Sequence, residues 1–399
     1  MPTLDPHATP ETGRAADGFE PVHPAEVRSF AAYRGPPVDP QRYAPSVETV
    51  GPDETETAQA IVATMRKIQE RTFADGGRAL RAVHAKSHGI LKAELEILPD
   101  LPAVLAQGLF ARPGRYPTVM RFSTIPGDIL PDRVSTPRGV ALKVLGVEGE
   151  RLPGSDGAAS QDLILVNGPT FNAKNAKAFL ANLKLVAATT DRGEGAKVAF
   201  SAVARTVEKL VEAFGGQSAT LSALGGQQPR HILGETFFGQ LPIRYGDYIA
   251  RVSLMPSSPE LKALEDARID LADDPDALRL AIQAHFALKG GEWLLRVQLC
   301  ANLEDMPIED ASKPWDEDIS PFVPVARLTA GPQSGWSAAR SAAVDDSMGF
   351  SPWHGLLAHQ PLGEIMRMRR SAYAKAQQFR AERNGGPRVE PTTLDDFPD

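Results

Sequence analysis

Four short apolar runs follow one another through the first half of the chain without a regular strand–helix alternation. Ile90 to Ile97 alternates apolar and polar side chains. Pro117 to Ser123 is rich in β-forming residues, Gly139 to Val144 follows a turn at Pro137, and Asp162 to Val166 runs into the turn Asn167-Gly168-Pro169. Parallel strands need long, usually helical, crossovers, so this order predicts an antiparallel sheet or barrel. Residues 148–160 read as an exposed hairpin loop. Strand character returns from Thr236 to Met255, Leu280 to Lys289 and Trp293 to Leu299, with Gly290-Gly291 as a hairpin signal.

Helices attach to this sheet. Asp53 can cap one that carries Ile61, Met65 and Ile68 on one face and runs to about Phe73. Others are expected over Lys174 to Ala188, Lys197 to Phe214 and Gly363 to Glu382. Residues 1–52 read as a Pro-rich extended arm, 53–383 as the folded domain and 384–399 as a loose acidic tail; 306–335 is Pro-rich chain. The fold class is α+β: an antiparallel β-barrel with flanking helices and an extended N-terminal arm.

Composition narrows the function. The net charge is −7 with no basic tract, which argues against a nucleic-acid partner. Cys300 is the sole cysteine, so no intrachain disulfide forms and a reducing compartment fits. Met1 to Thr12 lacks the pattern of a secretory signal, and no stretch approaches the ~20 apolar residues of a membrane span. A cytoplasmic protein is expected.

Several residues carry candidate chemistry. His84 lies at a loop–strand junction, where an imidazole can reach a cavity; a core or surface His is the alternative. Ser123 could hold that ring in one tautomer. Arg81 and Arg121 lie in or beside β-rich segments, and each either pairs with a local carboxylate or binds the acidic groups of a cofactor. Asn167 closes a turn or points its amide into a cavity. Arg369 and Tyr373 lie four apart, on one helix face, with Arg380 two turns further along. A phenol titrates near ~10, so it ligates a metal as phenolate only with help from a cation such as a guanidinium or a ferric ion.

Together these stretches resemble the heme catalase superfamily. Arg81-Ala82-Val83-His84-Ala85-Lys86 is similar to its distal histidine motif, and Arg121-Phe122-Ser123-Thr124 and Pro137-Arg138-Gly139-Val140-Ala141-Leu142-Lys143 to the strands that follow. Asn167-Gly168-Pro169-Thr170-Phe171 fits the distal N-x-P-x-F turn, and Arg369 with Tyr373 the R-x-x-x-Y motif, with Arg380 seven residues on. The chain is short for a full catalase, and around Phe350 to His354 and Pro361 to Gly363 it looks like the compact, peroxidase-like branch. The resemblance implies heme b, with Tyr373 as iron ligand and His84 and Asn167 as the catalytic pair. It also implies a cofactor contact for Arg81, Val83, Arg121, Ser123, Phe171, Arg369 and Arg380. The implied activity is reduction of hydrogen peroxide or organic hydroperoxides with an unknown electron donor. The alternatives are a hydroperoxide dehydratase of the allene oxide synthase type, whose Thr before the distal His is here Val83, or a non-catalytic heme-binding protein. The resemblance leaves room for a homo-oligomer. His88, His285, His354 and His359 are read as structural.

Overall fold

In the computed structural model, which describes residues 39–155, 157–189, 227–395 and 397–399, nine strands form one antiparallel sheet that closes on itself. They are β1 (Ser87–Ile97), β2 (Arg115–Thr124), β3 (Arg138–Leu145), β4 (Ser160–Val166), β5 (Phe237–Phe238), β6 (Ile243–Tyr245), β7 (Tyr248–Pro256), β8 (Gly291–Leu299) and β9 (Val323–Ala330). β1 to β4 form a meander, and β1 also pairs with β9, which leads through β8 to β7. The two-residue β5 bonds both β4 and β7 and closes an eight-stranded barrel; β6 hangs on β7. Closure leaves no long free edge for another chain to extend.

Successive side chains on a strand point to opposite faces, so the register sorts them into rows. Leu91, Met120, Leu142 and Leu163 stand opposite one another and belong to the core inside the barrel. The next row, Ile90, Arg121, Ala141 and Ile164, faces outward. So do the rows that flank it, Ser123–Gly139–Val166 on one side and Val119–Lys143–Asp162 on the other.

Among the described residues four longer helices cover the barrel: α1 (Glu54–Gly76), α2 (Ala176–Thr189), α3 (Ala277–Phe286) and α4 (Glu364–Asn384). α1 buries Ile61, Met65, Ile68 and Thr72, one stripe at helical spacing, and packs on α2 and α4. It stops at Gly77 and α4 stops at Gly385, both in the left-handed conformation that ends helices cheaply only at glycine. Arg367 of α4 ties three segments together through Glu48, Glu54 and Glu309, at 2.6, 2.8 and 3.2 Å.

Several expectations need correction. Leu280 to Lys289 is not a strand but lies mainly in α3, where Leu278, Ile282 and Phe286 are buried four apart. Gly290-Gly291 therefore joins a helix to β8 and makes no hairpin. The Pro-rich stretch 306–335 contains β9, whose Pro324 lies opposite Arg296, where the register of β8 shifts. Tail residues after 384 are not loose: Phe397 is buried, Glu390 reaches the buried Lys143 at 2.8 Å, and Val389 bridges to Met348. Of the arm, residues 39–52 meet the barrel through Arg42, which bridges to Tyr248, and α4 through Glu48, which pairs with Arg367. Residues 1–38 and the helix expected over Lys197 to Phe214 lie outside the described residues.

Lys143 and Asp162 are fully buried and 2.9 Å apart, on facing strands beneath the tail. Asp162 also meets His354 at 3.2 Å and the Ser351 backbone N–H at 3.0 Å. Removing one member of such a pair strands the other's charge, so Lys143→Met should lower stability by roughly 3–5 kcal/mol. Chemical denaturation measures this, and an unchanged midpoint would refute it.

Candidate active site

The outward face of β2–β4 has almost no bulk where it meets the helices. Gly139 and Ala141 sit in the middle of it, between Ser123 and Arg121 on β2 and Val166 and Ile164 on β4. α1 and α4 pass over this hollow. Beneath them lie two adjoining chambers, a smaller and a larger, that share Met65, Val83, His84, Ile164, Ala372 and Tyr373 in their walls. The smaller extends to Arg81, Arg121 and Arg380; the larger extends to Asn167, Phe171 and Phe179.

His84 enters from the loop between α1 and β1. Its backbone is left-handed, with φ 56°, a conformation that a non-glycine residue holds only when its surroundings enforce it. Its N–H donates to the Ile125 carbonyl at 2.7 Å, and the next N–H, of Ala85, donates to Pro126 at 2.9 Å. The ring lies against β3, where a Cβ on Gly139 would come within 2.7 Å of Cε1, so only glycine fits there. Nδ1 is 3.0 Å from Ser123 Oγ, as the sequence suggested. Burial, then the nearby guanidiniums of Arg121, Arg369 and Arg81, push the imidazole down to about 3. It is neutral at any physiological pH and keeps some surface toward both chambers.

Arg121 takes the first role considered for it, pairing with a local carboxylate, and it also faces the smaller chamber. Its Nε donates to Asp345 Oδ1 at 2.6 Å, its Nη2 donates to the His84 carbonyl at 2.9 Å, and it lines the smaller chamber. Arg81 donates to the carbonyls of Val344 and Met348 at 2.7 and 2.9 Å. Arg380 has a long bond to Met348, 3.4 Å. Desolvation, then the neighbouring guanidiniums, pushes Arg81 well below its usual value and Arg380 down to about 10. The Nε atoms of both are buried without a hydrogen-bond partner among the described residues. Asp345 is the carboxylate that pairs with Arg121, while Asp346 pairs with Arg78. A buried cluster of three cations with two orphaned donors has the chemistry of an anion site.

On the opposite wall, α4 presents Tyr373 and Arg369 one turn apart. Arg369 Nη2 donates to the Tyr373 hydroxyl at 2.7 Å, and its guanidinium carbon lies 5.2 Å from the ring centroid. Among the described residues there is no cluster of three or more His, Cys, Asp or Glu side chains to hold a metal. A metal in this hollow would depend on the phenol and on a ligand set supplied by a cofactor.

Asn167 reaches the larger chamber, but its amide is committed. Oδ1 accepts from the Arg138 N–H at 2.9 Å, and Nδ2 donates to Gln227 Oε1 at 3.1 Å and Glu235 Oε1 at 3.0 Å. Val83 and Phe171 line chamber walls, Phe171 with Phe179 at 5.3 Å. The four histidines read as structural are engaged elsewhere: His88 with Thr124, His285 with Gly290, His354 with Asp162 and Arg388, and His359 with Leu109. Asp345 and Glu235 escaped the reading of the sequence. The doubled Asp345-Asp346 was the available signal for the first; nothing local marks Glu235.

No family model and no curated protein matches the chain. Solved structures do. A fungal catalase superposes with a TM-score of 0.56 at 18% identity, over 79% of this chain and 62% of its own. Catalase A from Saccharomyces cerevisiae gives 0.55 at 16%, over 78% and 63%, and a bacterial catalase gives 0.54 at 16%, over 78% and 59%. The chain has the catalase fold. It spans about three fifths of the length of these solved catalases. Within the catalase fold of this chain, the barrel's outer face and α4 hold the hollow between them.

The site's electrostatics give a pH dependence. Burial pushes His84 down to about 3 and His231 and His359 to about 4, and it lowers His88 well below the ordinary range. In the unfolded chain each titrates near ~6.5. The unfolded state therefore binds more protons as pH falls below that value, so this stability is complete above pH ~6.5 and is lost on acidification toward pH 4. Denaturation midpoints at pH 7.5 and pH 5 should fall in that order. A higher midpoint at pH 5 would contradict it.

Proposed function

We propose that the chain binds heme b between β2–β4 and α4 and reduces peroxides. The observation that carries this is one arrangement: a neutral imidazole and an arginine-held phenol line the same hollow, beside a cluster of arginines with orphaned donors. Tyr373 would hold the iron. Arg369, already bonded to its oxygen, would favour the phenolate. Arg81, Arg121 and Arg380 would meet the propionates, which supply the anions that the buried Nε atoms of Arg81 and Arg380 lack. Gly139 and Ala141 leave the space against the barrel that a flat macrocycle needs.

Bound there, the heme supplies the two-electron cleavage of the peroxide O–O bond. The chain's own contribution is proton handling. Neutral His84 can take the proton of the attacking peroxide oxygen on Nε2 and return it to the leaving oxygen. Ser123 on Nδ1 and Gly139 against Cε1 fix the ring for that transfer. Asn167 was expected to polarise the peroxide, yet both its amide hydrogens are engaged. We assign it to holding the loop of Gln227 and Glu235 against β3 and β4, which leaves His84 as the distal proton carrier. The larger chamber is lined by Ile61, Ile125, Phe171, Phe179, Ile365 and Met368, and this apolar wall favours organic hydroperoxides alongside hydrogen peroxide.

Heme loading, absorption spectra and rapid mixing with peroxide test the reading. His84→Ala should keep heme and lose about 10²–10⁴-fold in peroxide cleavage. Tyr373→Phe should lose heme or its phenolate charge-transfer band, and Arg369→Leu should weaken that band while some heme remains. Full heme with an unaltered spectrum in Tyr373→Phe would place the iron on another residue.

A further inference from the structure

The chain has eight methionines, and one of them stands where three cavities meet. Met65 lines both chambers of the hollow and also a groove on the outer side, between α1 and α4. Among the described residues only Ala372 shares that position, and an alanine ends at Cβ. The Met65 side chain is therefore the main bulk that separates groove from hollow at that point. Exposed Gln59, Ser371 and Lys375 also line the groove, so it is open to water. On the inner side, Met65 shares both chamber walls with His84 and Tyr373. A peroxide that His84 receives thus lies in the same space as the Met65 thioether, and no relay is needed between them.

Other methionines are placed differently. Met120 belongs to the core inside the barrel, and Met306 to the cluster around Cys300. The sulfurs of Met306 and Met366 accept hydrogen bonds, from the Ala301 N–H at 3.2 Å and from Arg369 Nη1 at 3.7 Å. Met368 borders the groove and the larger chamber but not the smaller. Met255, on β7, is the one methionine among the described residues that is not buried, and it lines neither chamber. Met65 is only 8% exposed. A thioether gives two electrons to a peroxide and takes one oxygen from it. A peroxide acting from bulk water therefore meets Met255 first, and one acting from the hollow meets Met65 first.

We propose that Met65 is a modification site, converted to methionine sulfoxide by peroxide in the hollow when no external electron donor is present. The inference rests on the peroxide-reducing reading above, which brings the peroxide there. Met65 Sδ gives up two electrons and bonds to one peroxide oxygen as the O–O bond breaks. The hydrogen of the transferred oxygen passes to the departing one, and His84 Nε2 can carry it. Hydrogen peroxide leaves as one water with both its hydrogens, and an organic hydroperoxide leaves as its alcohol. The product is polar where the thioether was apolar. It stands in the seam of Val62, Met368 and Ala376, so it loosens α4 from α1 and opens the hollow to the groove. Because α4 carries Tyr373, the same change weakens the hold on heme.

The test uses the heme-loaded protein. Hydrogen peroxide is added stepwise without donor, and peptide mass spectrometry follows each methionine. Met65 should gain one oxygen ahead of Met255, and an excess of a reducing arylamine should protect it. His84→Ala should slow oxidation of Met65 by about tenfold or more and leave that of Met255 unchanged. Heme transfer to excess apomyoglobin should be faster after peroxide treatment of the parent. Met65→Leu keeps the bulk without the sulfur, and its transfer rate should not respond to the treatment. Oxidation of Met255 ahead of Met65, equal oxidation of Met65 in His84→Ala, or an equal response in Met65→Leu overturns the proposal and leaves the peroxide reading standing. Failure to bind heme or consume peroxide overturns both.

Discussion

A closed sheet has two faces, and its register forces each strand to divide its residues between them. In this barrel the core claims Leu91, Met120, Leu142 and Leu163, and with them every alternate residue along their strands. The residues between them must face the helices. On β3 that obligation falls on Gly139, Ala141 and Lys143, and it decides what the outer surface can be. At the glycine and alanine end the helices bridge a hollow; at the lysine end the tail closes over a buried ion pair. A slip of one residue in β3 would put Val140 and Leu142 against the imidazole and abolish the site.

Charge explains the second layer. Desolvated guanidiniums are costly unless an anion meets them. Around the smaller chamber Asp345 meets Arg121, and among the described residues the hydrogen bonds of Arg81 and Arg380 go only to carbonyls. Burial keeps His84 neutral, and Arg121 and Arg81 of this cluster, with Arg369, add to the effect. The anion site and the proton carrier are therefore one electrostatic arrangement, because an imidazole this close to three arginines has little reason to hold a second proton.

Much of this was legible in the sequence, for identifiable reasons. β1 to β4 show in their alternation, and the Arg369–Tyr373 contact follows from a four-residue spacing on a helix. The Ser123–His84 pair joins two strand ends that a meander brings together. What was hidden depends on partners far along the chain. β9 carries a proline that reads as a breaker, although a register shift in β8 accommodates it. α3 was read as a strand because Ala281, Ile282, Ala284 and Phe286 crowd apolar residues without a clean period. The fate of the Asn167 amide depends on Gln227 and Glu235, and no local pattern tells whether such an amide faces a cavity or a neighbouring carboxylate.

The hollow's two walls come from opposite ends of the folded chain. His84 and Arg121 belong to its first strands and their approach, while Tyr373 and Arg380 belong to its last helix. Arg367 fixes that helix to α1 and to the segment before it through Glu54 and Glu48. Synthesis therefore releases the imidazole wall long before the phenol wall exists, and the domain, folding as a unit, must wait for the latter. Until α4 docks, the outer face of β2–β4 is an open shelf of Ala141 and Ile164 beside Arg121. When α4 docks, it covers that shelf. The docking of α4 is thus the step that turns an open face of the barrel into an enclosed hollow.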